Sequence, residues 1–178
     1  TNLDGRDRWG TFGARTGIAR AAYHVLPGLY CIGTPNPSAP VIVTANYKLT
    51  FDTVRQAVAG LDTWILVLDT KGVNVWCAAG KGTFSTAEVV RQVKLAELDK
   101  VVTHRKLILP QLSATGVSGR QVRKECGFRV IWGPVRIGDI QQFLNNNASA
   151  DPDMRSVTFT IGERIVLIPV ELNASIKP

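Results

Sequence analysis

The chain has 178 residues, 45% of them hydrophobic, with 21 Lys and Arg against 14 Asp and Glu for a net charge of +7. That balance is too apolar for a disordered chain, and the length suffices for one domain with its own core. No run reaches the roughly 18 apolar residues of a membrane span, and the opening residues lack the pattern of a secretory signal, so the expected location is cytoplasmic.

Residues 1–28 are rich in Gly and Arg without a sustained period and read as an N-terminal arm. Residues 29–32 form a short strand, and the three prolines at 35, 37 and 40 mark a loop. Residues 41–44 are a buried strand. Thr50 is placed to N-cap a helix with Phe51, Val54 and Val58 on one face, stopped by Gly60. Residues 64–68 are the most apolar strand. Ser85 and Glu88 have capping-box spacing ahead of a helix that turns Val89 and Val93 inward. Residues 106–109 are a strand ended by Pro110, Ser118 opens a helix closed by Gly127, and residues 128–132 are a strand. Residues 139–144 are helical, broken by Asn145, Asn146 and Asn147. Residues 157–161 and 164–170 flank Gly162-Glu163 as a hairpin.

Near-continuous apolar strands alternating with amphipathic helices imply an α/β fold. We expect a Rossmann-like, mostly parallel sheet with helices on both faces, plus a C-terminal antiparallel hairpin. The domain spans 29–172, with a tail at 173–178. Ligands of such sheets bind beyond the carboxyl ends of the strands, here the loops 44–49, 69–84, 110–116 and 133–136.

Cys31, Cys77 and Cys126 are an odd, scattered set without a CxxC pair, which excludes a zinc ribbon or a thioredoxin-type site and favours free thiols. Residues 91–130 hold nine Lys and Arg against three acids. They read either as a solvated helix face or as a dock for an acidic partner or a phosphate-bearing ligand. Residues 91–127 contain no aromatic on which a base would stack, which argues against nucleic acid.

The loop 69–84 is the most unusual segment. Its centre, Cys77-Ala78-Ala79-Gly80, is small enough for a backbone to approach a large flat object. A Cys at a helix start meets unpaired N–H groups, which favour a thiolate able to act as nucleophile or soft metal ligand. A P-loop is a poor match, because Gly82 follows Gly80-Lys81 and Val75 stands where the first Gly belongs. A dinucleotide fingerprint lacks its third Gly, replaced by Ser85. A Cys–His pair with His24 or His104 and a buried structural Cys stay open for Cys77. The buried structural reading suits Cys31 and Cys126 better.

The segment Gly72 to Phe84, with Asn74-Val75-Trp76-Cys77-Ala78-Ala79-Gly80-Lys81 at its centre, resembles the cap-helix signature of the mercury-methylation corrinoid protein family. Residues 27–30, 43–49, 109–112 and 133–136 are similar in the same order, so the resemblance spans about 25–172. A related family is the large subunit of the corrinoid iron–sulfur protein of acetyl-CoA synthesis. The resemblance implies a cobalamin or related corrinoid, base-off, with Cys77 as lower axial ligand to cobalt and as the catalytic residue. A soft thiolate donating from below would help a methyl group leave towards Hg(II). It further implies cofactor contacts from Thr44, Ala45, Asn46, Asn74, Val75, Trp76, Ala78, Ala79, Gly80, Lys81, Gly82 and Thr83. Leu109, Pro110, Gln111, Leu112, Ala114 and Gly133 would lie along the displaced nucleotide tail. Ala78, Ala79 and Gly80 would leave room under the ring. The implied partners are a ferredoxin-like iron–sulfur reductant, docking on the basic stretch, and a methyl-donor protein or methyl-folate system. The family continues into membrane-spanning helices, so this chain is expected to be a fragment of a corrinoid-dependent methyltransferase at the cytoplasmic face of the inner membrane. The rival readings are a methyl carrier of the acetyl-CoA route, a non-catalytic corrinoid-binding module, and a Cys-nucleophile enzyme without a corrinoid.

Overall fold

The computed structural model describes residues 23–158. Five strands, β1 (Gly28–Ile32), β2 (Val41–Ala45), β3 (Thr63–Leu68), β4 (Lys106–Leu109) and β5 (Arg129–Trp132), form one sheet in the order β1-β3-β2-β4-β5. Four of them run parallel, and β1 pairs antiparallel with β3, placing Tyr30 opposite Ile65. The connections are helical: α1 (Lys48–Ala57), α2 (Val75–Gly80), α3 (Thr86–Leu95), α4 (Leu98–Val101), α5 (Gly119–Cys126) and α6 (Ile140–Asn145).

Strand alternation explains why both faces are covered. Successive side chains point to opposite sides, and here both sides are apolar. Val41, Val43, Leu66, Leu68, Leu107 and Leu109 pack with Val89 and Val93 of α3, Val122 of α5, and Phe84 and Phe128. Ile42, Ile65, Val67 and Ile108 pack on the other side with Phe51 and Val54 of α1, Val58 just past it, and Ile140 and Phe143 of α6. The two layers bury the sheet as the apolar pattern predicts.

The caps follow the sequence with one exception. The Ser85 hydroxyl accepts from the Glu88 amide at 3.3 Å, and that of Ser118 accepts from the Gln121 amide at 3.3 Å. Gly127 closes α5 at a left-handed φ of 79°. Thr50, however, does not cap α1. The helix begins at Lys48 after Tyr47, because the Lys48 amide finds a tertiary acceptor in the Tyr23 carbonyl at 3.0 Å, leaving no need for a side-chain cap. α4 was not foreseen; it is entered through Glu97 in a left-handed conformation. α6 runs on through Asn145, and left-handed Asn147 and Ala148 follow it.

The antiparallel pairing among the described residues is therefore made by the first strand. The predicted C-terminal hairpin lies outside the described residues except for Val157 and Thr158, which belong to no strand or helix. Most of the N-terminal arm also lies outside them; its last residues run beside the end of β2, where the Val25 amide donates to the Asn46 carbonyl. Cys31, expected to be buried, is exposed on β1, and Cys126 is half-buried.

Candidate functional site

β2 is flanked by β3 on one side and β4 on the other, so the strand order reverses between β2 and β4. At such a switch point the connections leave in opposite directions and open a crevice beyond the carboxyl ends. A cavity of about 410 Å³ lies there. Its walls are mainly aliphatic, from Ile42, Val43, Val54, Ile108, Leu109 and Ile140, and Asn74, Val75 and Trp76 of the α2 segment border it. Gly133, just past β5, also lines it. A Cβ there would come within 3.1 Å of the Ile108 side chain and 3.3 Å of the Leu109 carbonyl, so any larger residue would have to push this wall outward.

One polar atom stands out. Thr44 is 1% exposed and lines the cavity, and its Oγ1 is buried without a hydrogen-bond partner. A buried hydroxyl left unpaired is costly, so such an atom beside a cavity points to an occupant that completes it.

The helix α2 is built by its cap. Asn74 Oδ1 accepts from the Cys77 amide at 3.0 Å, satisfying one of the open N–H groups of the first turn. Cys77 and Trp76 are exposed on that turn, with Trp76 57% exposed, so neither plugs the loop into the core. Ala78 and Ala79 are buried and pack the helix onto the sheet layer. Gly116 explains how closely α2 is held: a Cβ at 116 would meet the Ala79 Cα and carbonyl, each at 3.1 Å, and the Phe84 carbonyl oxygen.

The turn before α2 is fixed by Asn46. Its Oδ1 accepts from the Thr70 amide (3.1 Å), the Thr70 hydroxyl (2.9 Å) and the Gly72 amide (2.9 Å). The same hydroxyl lies 2.6 Å from the Val73 carbonyl. Beside it, the Lys71 ammonium at 2.6 Å holds the Asp69 carboxyl below its ordinary pKa, against the opposing pull of burial. The Asp69 amide donates to Glu88 of α3 at 2.8 Å. Glu88 thus reaches across to the loop instead of back to Ser85 as a capping box would have it.

Of the residues predicted for the site, Thr44, Asn74, Val75, Trp76, Leu109, Pro110, Leu112 and Gly133 line the cavity. Ala45, Ala78 and Ala79 point into the core, and the Asn46 side-chain oxygen is fully used by the loop. Gly80, the last residue of α2, and Lys81 and Gly82 beyond it are exposed, and the Thr83 hydroxyl donates to the Ala78 carbonyl at 3.4 Å. The Gln111 side chain accepts from Arg155, and Ala114 is exposed. The sequence reading missed Leu49, Thr50 and Val54 of α1 and Ile137 and Ile140, which also line the cavity. The signal was available for α1, since the first turn of a helix that follows a switch-point strand must border the crevice. His104 lies at the amino end of β4, bonded to the Ala39 carbonyl at 2.8 Å, on the edge opposite α2. It does not pair with Cys77.

A model of the family described as CO dehydrogenase/acetyl-CoA synthase delta subunit (CdhD) matches residues 19–144. The chain belongs to the CdhD family. The acetyl-CoA decarbonylase/synthase complex subunit gamma of Archaeoglobus fulgidus is 34% identical over 130 residues, covering 72% of this chain and 27% of the relative. The subunit of the same name from Methanopyrus kandleri is 34% identical over 127 residues, 70% of this chain and 27% of the relative. Subunit gamma 2 of Methanosarcina thermophila is 32% identical over 123 residues, 67% and 26%. The chain thus spans about a quarter of the length of these relatives.

CdhD membership overturns the resemblance to the mercury-methylation corrinoid protein. That likeness rested on the cap segment and a few short matches around it, whereas the family model matches residues 19–144 continuously and the relatives are acetyl-CoA decarbonylase/synthase gamma subunits. Mercury as substrate, a mercury methyltransferase activity and membrane association fall with it. No helix of the described residues is long and apolar enough to cross a membrane. The related family of acetyl-CoA synthesis is the one that fits.

Proposed function

We propose that this CdhD-family chain is the corrinoid-holding module of a methyl carrier of the acetyl-CoA route, acting within a multi-subunit complex. The observation that carries the reading is the aliphatic cavity at the switch point. It holds an orphaned buried hydroxyl and lies beside a capped turn that exposes a thiol. The donor set suits the group: a deep apolar slot for a nucleotide tail, and a soft sulfur at the rim for a soft metal. The relatives' description as subunits of an acetyl-CoA decarbonylase/synthase complex supports the carrier role over free-standing chemistry.

When bound, a corrinoid supplies a cobalt centre that takes up and gives up a methyl group. Thr44, Leu109 and Gly133, which line the cavity, would hold its nucleotide tail. Asn74 fixes the turn that exposes Cys77, whose sulfur would be the soft donor to the cobalt. Trp76 would pack against the macrocycle, and Lys81 would offer its ammonium to an amide or phosphate of the cofactor. A ferredoxin-like reductant and a methyl-donor protein or methyl-folate system are the proposed partners, the former on the basic face of α5.

Reconstitution with methylcobalamin tests this by absorption spectra of wild type and Cys77→Ala. Both should bind and carry methyl, because the cavity and not the sulfur holds the cofactor, and the spectra should differ. Identical spectra would remove the sulfur ligation. Failure of the wild type to retain any corrinoid would remove the whole reading.

A further inference from the structure

We infer that the switch-point cavity selects which lower base the corrinoid carries, and that Thr44 reads that base through one hydrogen bond to a ring nitrogen. The inference rests on the corrinoid reading and extends it to ligand specificity.

The cavity offers one buried hydroxyl without a partner, and little else that is polar at its floor. Ile42, Val54, Ile108, Leu109 and Ile140 present only hydrocarbon. Of the other polar groups nearby, the Thr53 hydroxyl donates to the Leu49 carbonyl at 2.7 Å, and Asn74 Oδ1 is taken by the Cys77 amide. A base displaced from cobalt has a free in-plane nitrogen lone pair, which accepts one hydrogen bond. Thr44 supplies one hydrogen from the side of the cavity. A benzimidazole matches this count, with a single acceptor on an otherwise apolar bicycle. A phenol-type base has no ring nitrogen and leaves Thr44 unpaired. A purine has its nitrogen but turns further polar edges to aliphatic walls, where each goes unsatisfied. A site built around hydrogen bonding to one atom rejects analogues that lack it or add others.

The test uses four probes: cobalamin, cobinamide without a nucleotide, an adenine cobamide and a phenol cobamide. Each is titrated into wild type, Thr44→Val and Thr44→Ser, with dissociation constants read from absorption. Wild type should bind cobalamin most tightly. Thr44→Val, which keeps the shape of the strand residue, should weaken cobalamin about 2- to 10-fold. It should leave the phenol cobamide and cobinamide unchanged, and Thr44→Ser should restore cobalamin binding. An unaltered unfolding midpoint shows that the variants fold. Equal wild-type affinity for cobalamin and cobinamide, or an equal loss for all four probes in Thr44→Val, would overturn the inference while leaving corrinoid binding intact. Absence of binding by all four would overturn the corrinoid reading and this inference with it.

Discussion

The side-chain oxygen of Asn46 accepts from both the amide and the hydroxyl of Thr70, at 3.1 and 2.9 Å, and so ties the end of β2 to the loop that leads into α2. With Gly72 as a further donor, truncation leaves the part-buried Gly72 N–H unpaired and the Thr70 amide with only the Leu68 carbonyl. Asn46→Ala should cost about 1–3 kcal/mol. Denaturant unfolding checks it, and an unchanged midpoint at unchanged slope would show that the loop is held by other contacts.

Gly116 sets how far α2 can settle onto the sheet layer. Gly116→Ala would push a methyl against the Ala79 backbone, within 3.1 Å, and against the Phe84 carbonyl. Backbone atoms yield little, so the variant should lose about 1–3 kcal/mol. Its corrinoid affinity should fall as the Cys77 turn is displaced. A variant as stable and as tight-binding as wild type would contradict the packing.

The three thiols should separate by reactivity. Cys31 and Cys77 are exposed, while burial pushes the Cys126 thiol up and its S–H donates to the Val122 carbonyl at 3.1 Å. Thiol reagents at neutral pH should therefore modify Cys31 and Cys77 quickly and Cys126 slowly, as counted by mass spectrometry. Bound corrinoid should protect Cys77 alone.

The same Cys126 gives a pH dependence. Its folded pKa lies above the unfolded thiol value of about 8.5. Its contribution to stability is then fully present below that value and is lost as pH rises through the folded pKa. Cys126→Ala should flatten the decline in unfolding free energy between about pH 8 and 10. An equally steep decline in the variant would assign it to other groups.

Arg120, Arg123 and Lys124 stand exposed on α5 with no salt bridge among the described residues, while Glu125 is engaged by Gln121 at 2.7 Å. Reversing the three charges should change stability by no more than about 0.5 kcal/mol. It should sharply weaken binding of an acidic iron–sulfur partner and reduce its salt dependence. Partner titrations at low and high salt decide it.

The strands were readable because each is a short apolar run with a punctuating Gly, Pro or cap. Their parallel order followed from the helices between them. The start of α1 was not readable, since it depends on the Tyr23 carbonyl, a contact from outside the segment. At the site, Thr44, Leu109 and Gly133 could be placed from topology, and the Asn74 cap from its residue type. The placement of the Asn46 side chain and of the two alanines was not readable, because sequence does not reveal which way a side chain at a strand end or on a six-residue helix is turned.

Because Asn74 satisfies the Cys77 amide from within the chain, the first turn of α2 is formed by its own residues. Uptake of a cofactor then carries no ordering penalty for that turn. A group bound beside it would meet a seat already shaped by the chain itself.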